Sequence, residues 1–270
     1  MKISLGALVG RWSRSATMAF YDTVALSSVD VVYIGVAIHG TLAGLQERDC
    51  LALAHELALG GKEVVLSVHA GSANRDADCV HTWIEDTDLP VEVGDAWTLR
   101  LLAGKVPLVI GAGVPCTGGA DLKRLLDLGA RRWVLPAVCK GEVIQNLAHA
   151  GDGNADCEIE LPVLSPRPFS RWNCRVESCS YEGWARHAMP GCDRDASSAH
   201  LVPDWASDLD TLRALGVAIL RLTPRAAGTV GLSQTLADLL RGEVDARDAF
   251  ATYAASLRRG RMRVPPGLIE

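Results

Sequence analysis

Val31-Val-Tyr-Ile-Gly-Val-Ala37, then Leu42 to Leu59, then Gly60-Gly61-Lys62-Glu-Val-Val-Leu-Ser-Val-His69 is the stretch that decides the fold. The outer pieces are short runs rich in Val and Ile, the composition of strands covered on both faces. The middle piece is longer and carries apolar residues at helical spacing. Gly60 and Gly61 stop it, since glycine tolerates the left-handed geometry of a helix C-terminus.

The same alternation continues in both directions. Strands are expected at Ile3–Val9, Val31–Ala37, Val64–His69, Pro90–Val93, Pro107–Gly111, Arg132–Pro136, Glu158–Leu164 and Val217–Thr223. Helical patterns cover Ala16–Ser27, Leu42–Leu59, Asp76–Glu85, Asp95–Leu102, Ala120–Leu128, Glu142–Ala150, Asp208–Leu215, Ser233–Arg241 and Ala246–Leu257. With no linker, low-complexity tract or composition break, this pattern predicts one TIM-type (β/α)8 barrel domain over residues 1–270. Chemistry in such barrels gathers where strands end, which nominates His39, His69, Asp95, Cys116, Cys139 and Arg225.

The exception is the segment from Ser165 to Trp205, after the seventh strand, which has neither strand nor helix period. Phe169, Trp172, Tyr181, Trp184 and Trp205 must be covered by something, so it reads as an ordered loop. It carries three of the eight cysteines, in the spacing Cys174-x4-Cys179-x12-Cys192. Thiolates select zinc, copper(I) or iron–sulfur clusters, and a closed site needs a fourth ligand. His39, Cys116, Cys139 and His187 are the candidates for it. The spacing is neither that of a zinc ribbon nor that of a ferredoxin, so loop thiols without a metal stay open as a reading. Cys50, Cys79 and Cys157 sit in apolar surroundings and read as packed thiols.

A net charge of −5 supplies no basic field for nucleic acid. No apolar run approaches the length of a membrane span, and Gly10-Arg-Trp-Ser-Arg14 interrupts the apolar start before a signal-peptide core is complete. The expectation is a cytoplasmic protein with reduced cysteines. The glycine run Gly111 to Gly119 lacks the spacing of a dinucleotide fingerprint or a P-loop and reads as a barrel loop. Glu158 and Glu160 share one face of a strand, a pattern open to paired carboxylates for acid–base work but better read as a polar network facing solvent or the barrel interior.

Five pieces resemble the UbiV branch of the collagenase-like peptidase family: Met1-Lys-Ile-Ser-Leu-Gly6, Ser27-Ser-Val-Asp-Val-Val-Tyr-Ile-Gly35, Gly61-Lys-Glu-Val-Val-Leu-Ser67, Arg131-Arg-Trp-Val-Leu-Pro136 and Leu220-Arg-Leu-Thr-Pro224. The resemblance implies a barrel holding a 4Fe-4S cluster on four cysteines. It also implies a UbiU-like partner in a heterodimer, and oxygen-independent hydroxylation of a prenylated aromatic ring in ubiquinone synthesis. An accessory subunit is expected rather than a peptidase. Cys174 and Cys192 fall where the family has cysteines, whereas His39 and Ala196 stand where two more are expected. Cys179 is an additional thiol, so the implied metal site is His39, Cys174, Cys179 and Cys192. Val138 and Ser165-Pro-Arg-Pro168 depart from the pattern as well. The alternative is a cluster-free or zinc-bearing barrel that acts as a non-catalytic binding subunit.

Overall fold

A computed structural model describes residues 1–8, 12–37, 44–69, 84, 87–116, 119–136, 157–163, 209–224, 229–246 and 248–249. Eight parallel strands close into a barrel in chain order: β1 (Lys2–Leu5), β2 (Val31–Ala37), β3 (Glu63–His69), β4 (Val91–Val93), β5 (Leu108–Ile110), β6 (Ala130–Val134), β7 (Glu158–Val163) and β8 (Val217–Leu222). The seam joins β1 to β8, with Lys2 opposite Ile219 and Leu5 opposite Leu222. Among the described residues the helices are α1 (Arg14–Ala25), α2 (Glu47–Leu59), α3 (Ala96–Leu102), α4 (Gly119–Asp127), α5 (Leu209–Ala214) and α6 (Gly231–Arg241). The expected (β/α)8 barrel is the architecture observed. The helical patterns at Asp76–Glu85, Glu142–Ala150 and Ala246–Leu257 fall wholly or mostly outside the described residues, as does the loop 165–205.

Helix starts follow their caps. The Ser13 hydroxyl accepts from Ala16 N–H at 3.2 Å and starts α1. The helix expected from Leu42 begins instead at Glu47, because the Asp49 carboxylate reaches back to the Gln46 N–H at 3.0 Å and fixes the first turn there. Asp49 Oδ1 also accepts from Arg14 Nε at 3.0 Å and Nη2 at 2.8 Å, which ties α1 to α2.

One face of each strand packs outward under the helices. Ile3, Leu5, Val32, Ile34, Leu66, Leu108, Trp133, Leu161 and Leu220 all lie in this buried shell. Each large apolar side chain removed from water there contributes about 1.5–3 kcal/mol. The other face lines the bore. Neighbouring strands are staggered by about one residue per step, so alternate strands supply each layer. From the pairings, successive layers toward the C-terminal end are Lys2, Glu63 and Glu158; Val31, Arg132 and Ile219; Ser4, Val65, Val109 and Glu160; Tyr33, Glu92, Val134 and Arg221; and then Gly6, Ser67, Gly111 and Pro162. Val31, Val65, Val109, Val134, Ile219 and Tyr33 form a separate apolar cluster there. Branched apolar residues usually fill this space. Here they share it with four carboxylates, two guanidinium groups and a lysine.

Candidate functional site

At the N-terminal end of the bore, Arg132 draws the first layer together. Its Nη2 lies 2.6 Å from Glu63 Oε1, and its Nε donates to Glu158 Oε2 at 2.9 Å. Lys2 Nζ adds a bond to Glu63 Oε2 at 3.0 Å. Burial pushes the Glu63 carboxyl up, but Arg132 and Lys2 more than offset it, and the net shift is downward. Lys2 and Glu158 also line an open cleft of about 420 Å³ shared with Arg213 and Gly216. Features at this end of a barrel serve stability more than chemistry.

The middle of the bore is organised by Glu160, which has no exposed surface. Ser4 Oγ donates to its Oε1 and Tyr33 Oη to its Oε2. Tyr33 Oη in turn accepts from Arg132 Nη1 at 3.4 Å. Arg221 Nη1 stands 3.6 Å from Oε1 and Arg132 Nε 3.9 Å from Oε2. Burial penalises the charged carboxylate, and that outweighs Arg221, the two hydroxyls and Arg132, so the pKa of Glu160 is raised. Burial and then the charge of Glu160 likewise hold the Tyr33 phenol well above its ordinary value. The pair can therefore keep a proton inside a dry barrel at a pH where an exposed carboxyl would have lost it.

Nearest the C-terminal end, Arg221 of β8 and Glu92 of β4 form a bridge across the bore, since these strands stand opposite one another in the closed order. Arg221 Nη1 donates to Glu92 Oε1 at 2.8 Å and Nη2 to Oε2 at 3.1 Å. Ser67 Oγ donates to the same carboxylate. The Arg221 Cζ lies 4.1 Å from the centroid of the Tyr33 ring, so the guanidinium stacks on the phenol. Burial alone would lower the Arg221 pKa; Glu92, Glu160 and Tyr33 reverse this and raise it, so it stays charged. Two glycines make room for the bridge. A Cβ on Gly6 would sit 2.9 Å from Arg221 Nε, and one on Gly111 would sit 2.8 Å from the Val93 carbonyl oxygen and 3.4 Å from Glu92 Cγ.

The four residues nominated as metal ligands, His39, Cys174, Cys179 and Cys192, lie outside the described residues. The same holds for Cys139, His187 and Arg225. Among the described residues, no three His, Cys, Asp or Glu side chains gather as metal ligands would. Asp95, nominated at a strand end, caps a helix instead. Its Oδ1 accepts from the N–H groups of Trp97 and Thr98, each at 2.8 Å, and so starts α3. Cys50 is buried, and Cys116 and Cys157 are half-buried. Burial pushes the Cys50 thiol up to about 12, as befits a packed residue. Glu158 and Glu160 do share the bore face within a polar network. The network's other members, Ser4, Tyr33, Ser67, Glu92, Arg132 and Arg221, were not singled out by sequence reasoning. The available signal was a polar residue set between apolar neighbours in some strands, as in Val91-Glu92-Val93 and Leu220-Arg221-Leu222.

No family model matches the chain. Among solved structures it is similar to the U32 peptidase Mk0906, with a TM-score of 0.44 and 14% identity over 60% of this chain and 69% of that one. A designed cube-shaped, porous protein cage made by fusing symmetric oligomeric domains gives a TM-score of 0.51 and 11% identity over 97% of this chain and 82% of that one. The YdjI aldolase from Escherichia coli K12 gives 0.44 and 13%, over 100% and 94%. At these identities likeness concerns the fold alone, since one barrel hosts many unrelated chemistries. No helix among the described residues is long and apolar enough to cross a membrane.

Proposed function

We propose that this protein is a UbiV-like iron–sulfur barrel subunit, which works with a UbiU-like partner in oxygen-independent hydroxylation of a prenylated aromatic ring during ubiquinone synthesis. The observation that carries the reading is one of connectivity. Strand β2 ends at Ala37, just before His39, and β7 ends at Val163, ahead of the segment bearing Cys174, Cys179 and Cys192. In a parallel barrel both strands end at the same mouth. The donor set is chemically apt for the group: three thiols and an imidazole suit iron–sulfur ligation, where histidine can replace cysteine. A cluster held there would supply one-electron chemistry. The protein's own contribution is the charged bore beneath that mouth, in which Arg221, Glu92 and Tyr33 fix a rigid polar floor.

The test is anaerobic purification followed by iron and sulfide assays and a visible spectrum. Cys174→Ser should remove most of the bound iron, His39→Cys should retain it, and Cys50→Ser should change nothing. Equal iron in the wild type and in Cys174→Ser would defeat the reading. Bound zinc without sulfide would favour the non-catalytic binding subunit instead. Co-expression with a UbiU-like chain should give a complex that survives size-exclusion chromatography; independent elution of the two chains would remove the partner from the proposal.

A further inference from the structure

Among the described residues, three large apolar side chains are exposed: Leu26, Leu59 and Leu128. Leu26 and Leu59 are the extreme cases, at 92% and 75% of full exposure against 41% for Leu128. Leu26 follows α1 directly, ahead of β2, and Leu59 is the last residue of α2, ahead of β3. Since β2 and β3 are neighbours in the barrel, the two connections lie side by side at its N-terminal end.

The two connections are also clamped together. Lys62 Nζ donates to the carbonyl oxygens of Ser27 and Val29, each at 2.7 Å, and so ties the second connection to the first. The Lys62 N–H closes the turn after Leu59 on the Leu57 carbonyl at 3.0 Å, and the Asp30 carboxylate accepts from Ile3 N–H at 2.7 Å. Backbone held in this way fixes where the leucines emerge, and their neighbours Ser27, Ser28, Gly60 and Gly61 are too short to cover them.

The charge around them is one-sided. A helix C-terminus carries partial negative charge, which a basic residue in the last turn offsets. Arg100, Arg124, Arg213 and Arg241 stand there in α3, α4, α5 and α6. Helices α1 and α2 have no such lysine or arginine. Exposed acids add to the deficit: Asp22 and Glu56 each lie one helical turn before a leucine, and Asp30 follows Leu26. His55 is the one basic side chain in the last two turns of either helix. Lys62 is engaged by the two carbonyls and Lys2 by Glu63 at 3.0 Å.

We propose that Leu26 and Leu59 are the apolar centre of a docking surface for a cationic amphipathic segment of a partner protein. Its apolar residues cover the two leucines, while its lysines or arginines face Asp22, Glu56 and the uncompensated helix ends. A second copy of this chain fits poorly, because a two-fold contact sets the same acids against one another. An anionic lipid surface is repelled for the same reason. This surface goes beyond the cluster reading and requires no metal, since it lies at the other end of the barrel from the strand C-termini.

The experiment titrates the full chain into a fluorescent amphipathic peptide of leucine and lysine, and into its leucine–glutamate counterpart, following anisotropy. The lysine peptide should bind saturably, and the glutamate peptide more weakly by about tenfold or more. Leu26→Ser/Leu59→Ser should weaken the lysine peptide by about tenfold or more, because both leucines are otherwise removed from water on binding. Asp22→Lys/Glu56→Lys should weaken it as well, with both leucines in place. Leu128→Ser, on a connection whose helix carries Arg124, should leave the affinity unchanged. All of these positions are exposed, so thermal melts should match the wild type. The proposal is overturned by no saturable binding, by equal affinity for the two peptides, by wild-type affinity in the serine pair or the lysine pair, or by an equal loss in Leu128→Ser. Concentration-dependent dimerisation of the wild type that the serine pair abolishes would make a second copy the occupant and overturn it too.

Discussion

Tyr33 and Glu160, 127 residues apart in the chain, meet inside the barrel, where the phenol donates to a carboxylate that has no contact with water. The same phenol oxygen accepts from Arg132, so it passes polarisation from a guanidinium to a buried acid. Tyr33→Phe leaves Glu160 with Ser4 as its hydroxyl donor and removes an acceptor from Arg132. Stranding buried polar groups costs about 1–3 kcal/mol each. Urea denaturation should show a loss of that size, and a double-mutant cycle with Glu160→Gln should show strong coupling. Additive effects would mean that the two side chains act independently.

The raised pKa of Glu160 gives its pH dependence a sign. A carboxyl whose folded value lies above its ordinary 4.5 contributes stability that is fully present below that pH and is lost as pH rises through the folded value. The stability of the wild type relative to Glu160→Gln should therefore decline as pH increases above 4.5. A difference that grows with pH would show that the arginines hold this carboxyl ionised throughout.

Glu63 behaves in the opposite sense. Its folded pKa is depressed, so its contribution is present above 4.5 and is lost as pH falls through the folded value. Glu63→Gln should flatten the acid limb of the stability profile, and Arg132→Met should do the same by removing the partner.

Two glycines separate steric from conformational cost. Gly111→Ala places a Cβ 2.8 Å from a backbone oxygen that cannot swing away, so strand β4 must move, at about 1–3 kcal/mol. Gly129→Ala meets no neighbour but forces alanine to a φ of +96°, at about 1–2 kcal/mol. Thermal melts should show both losses.

Cys50 should resist alkylation in the native state. Its thiol is buried and its pKa is pushed up to about 12, so little thiolate exists at mildly alkaline pH. Labelling with iodoacetamide, mapped by mass spectrometry, should track global unfolding at this position. Rapid native labelling would reveal local opening of α2.

The barrel was legible because each strand is a compact apolar run bounded by its own punctuation. Val31–Ala37 has the same limits in the sequence pattern and in the fold. Strand β6 starts two residues early, at Ala130 instead of Arg132, because the left-handed Gly129 ends α4 and the pairing with β5 starts at once. That Glu158 and Glu160 share one face was readable from strand alternation; that this face is the bore was not. Their partners were not: the register decides that Glu160 meets Ser4 and Tyr33, and it is set by the closure of the whole sheet. An arginine in Leu220-Arg221-Leu222 looks like a surface residue until the opposite strand supplies Glu92.

The pairing of Lys2 with Ile219 sets a timetable for synthesis. When a ribosome makes this chain, β1 appears first and its final neighbour, β8, among the last strands. Until β8 arrives, the outer edge of β1 is an unpaired template open to any extended segment nearby. Glu160 and Arg132 meanwhile lack the cage that makes their burial tolerable. The barrel therefore cannot close until β8 has been made, and a pairing of such long range is a slow step of folding.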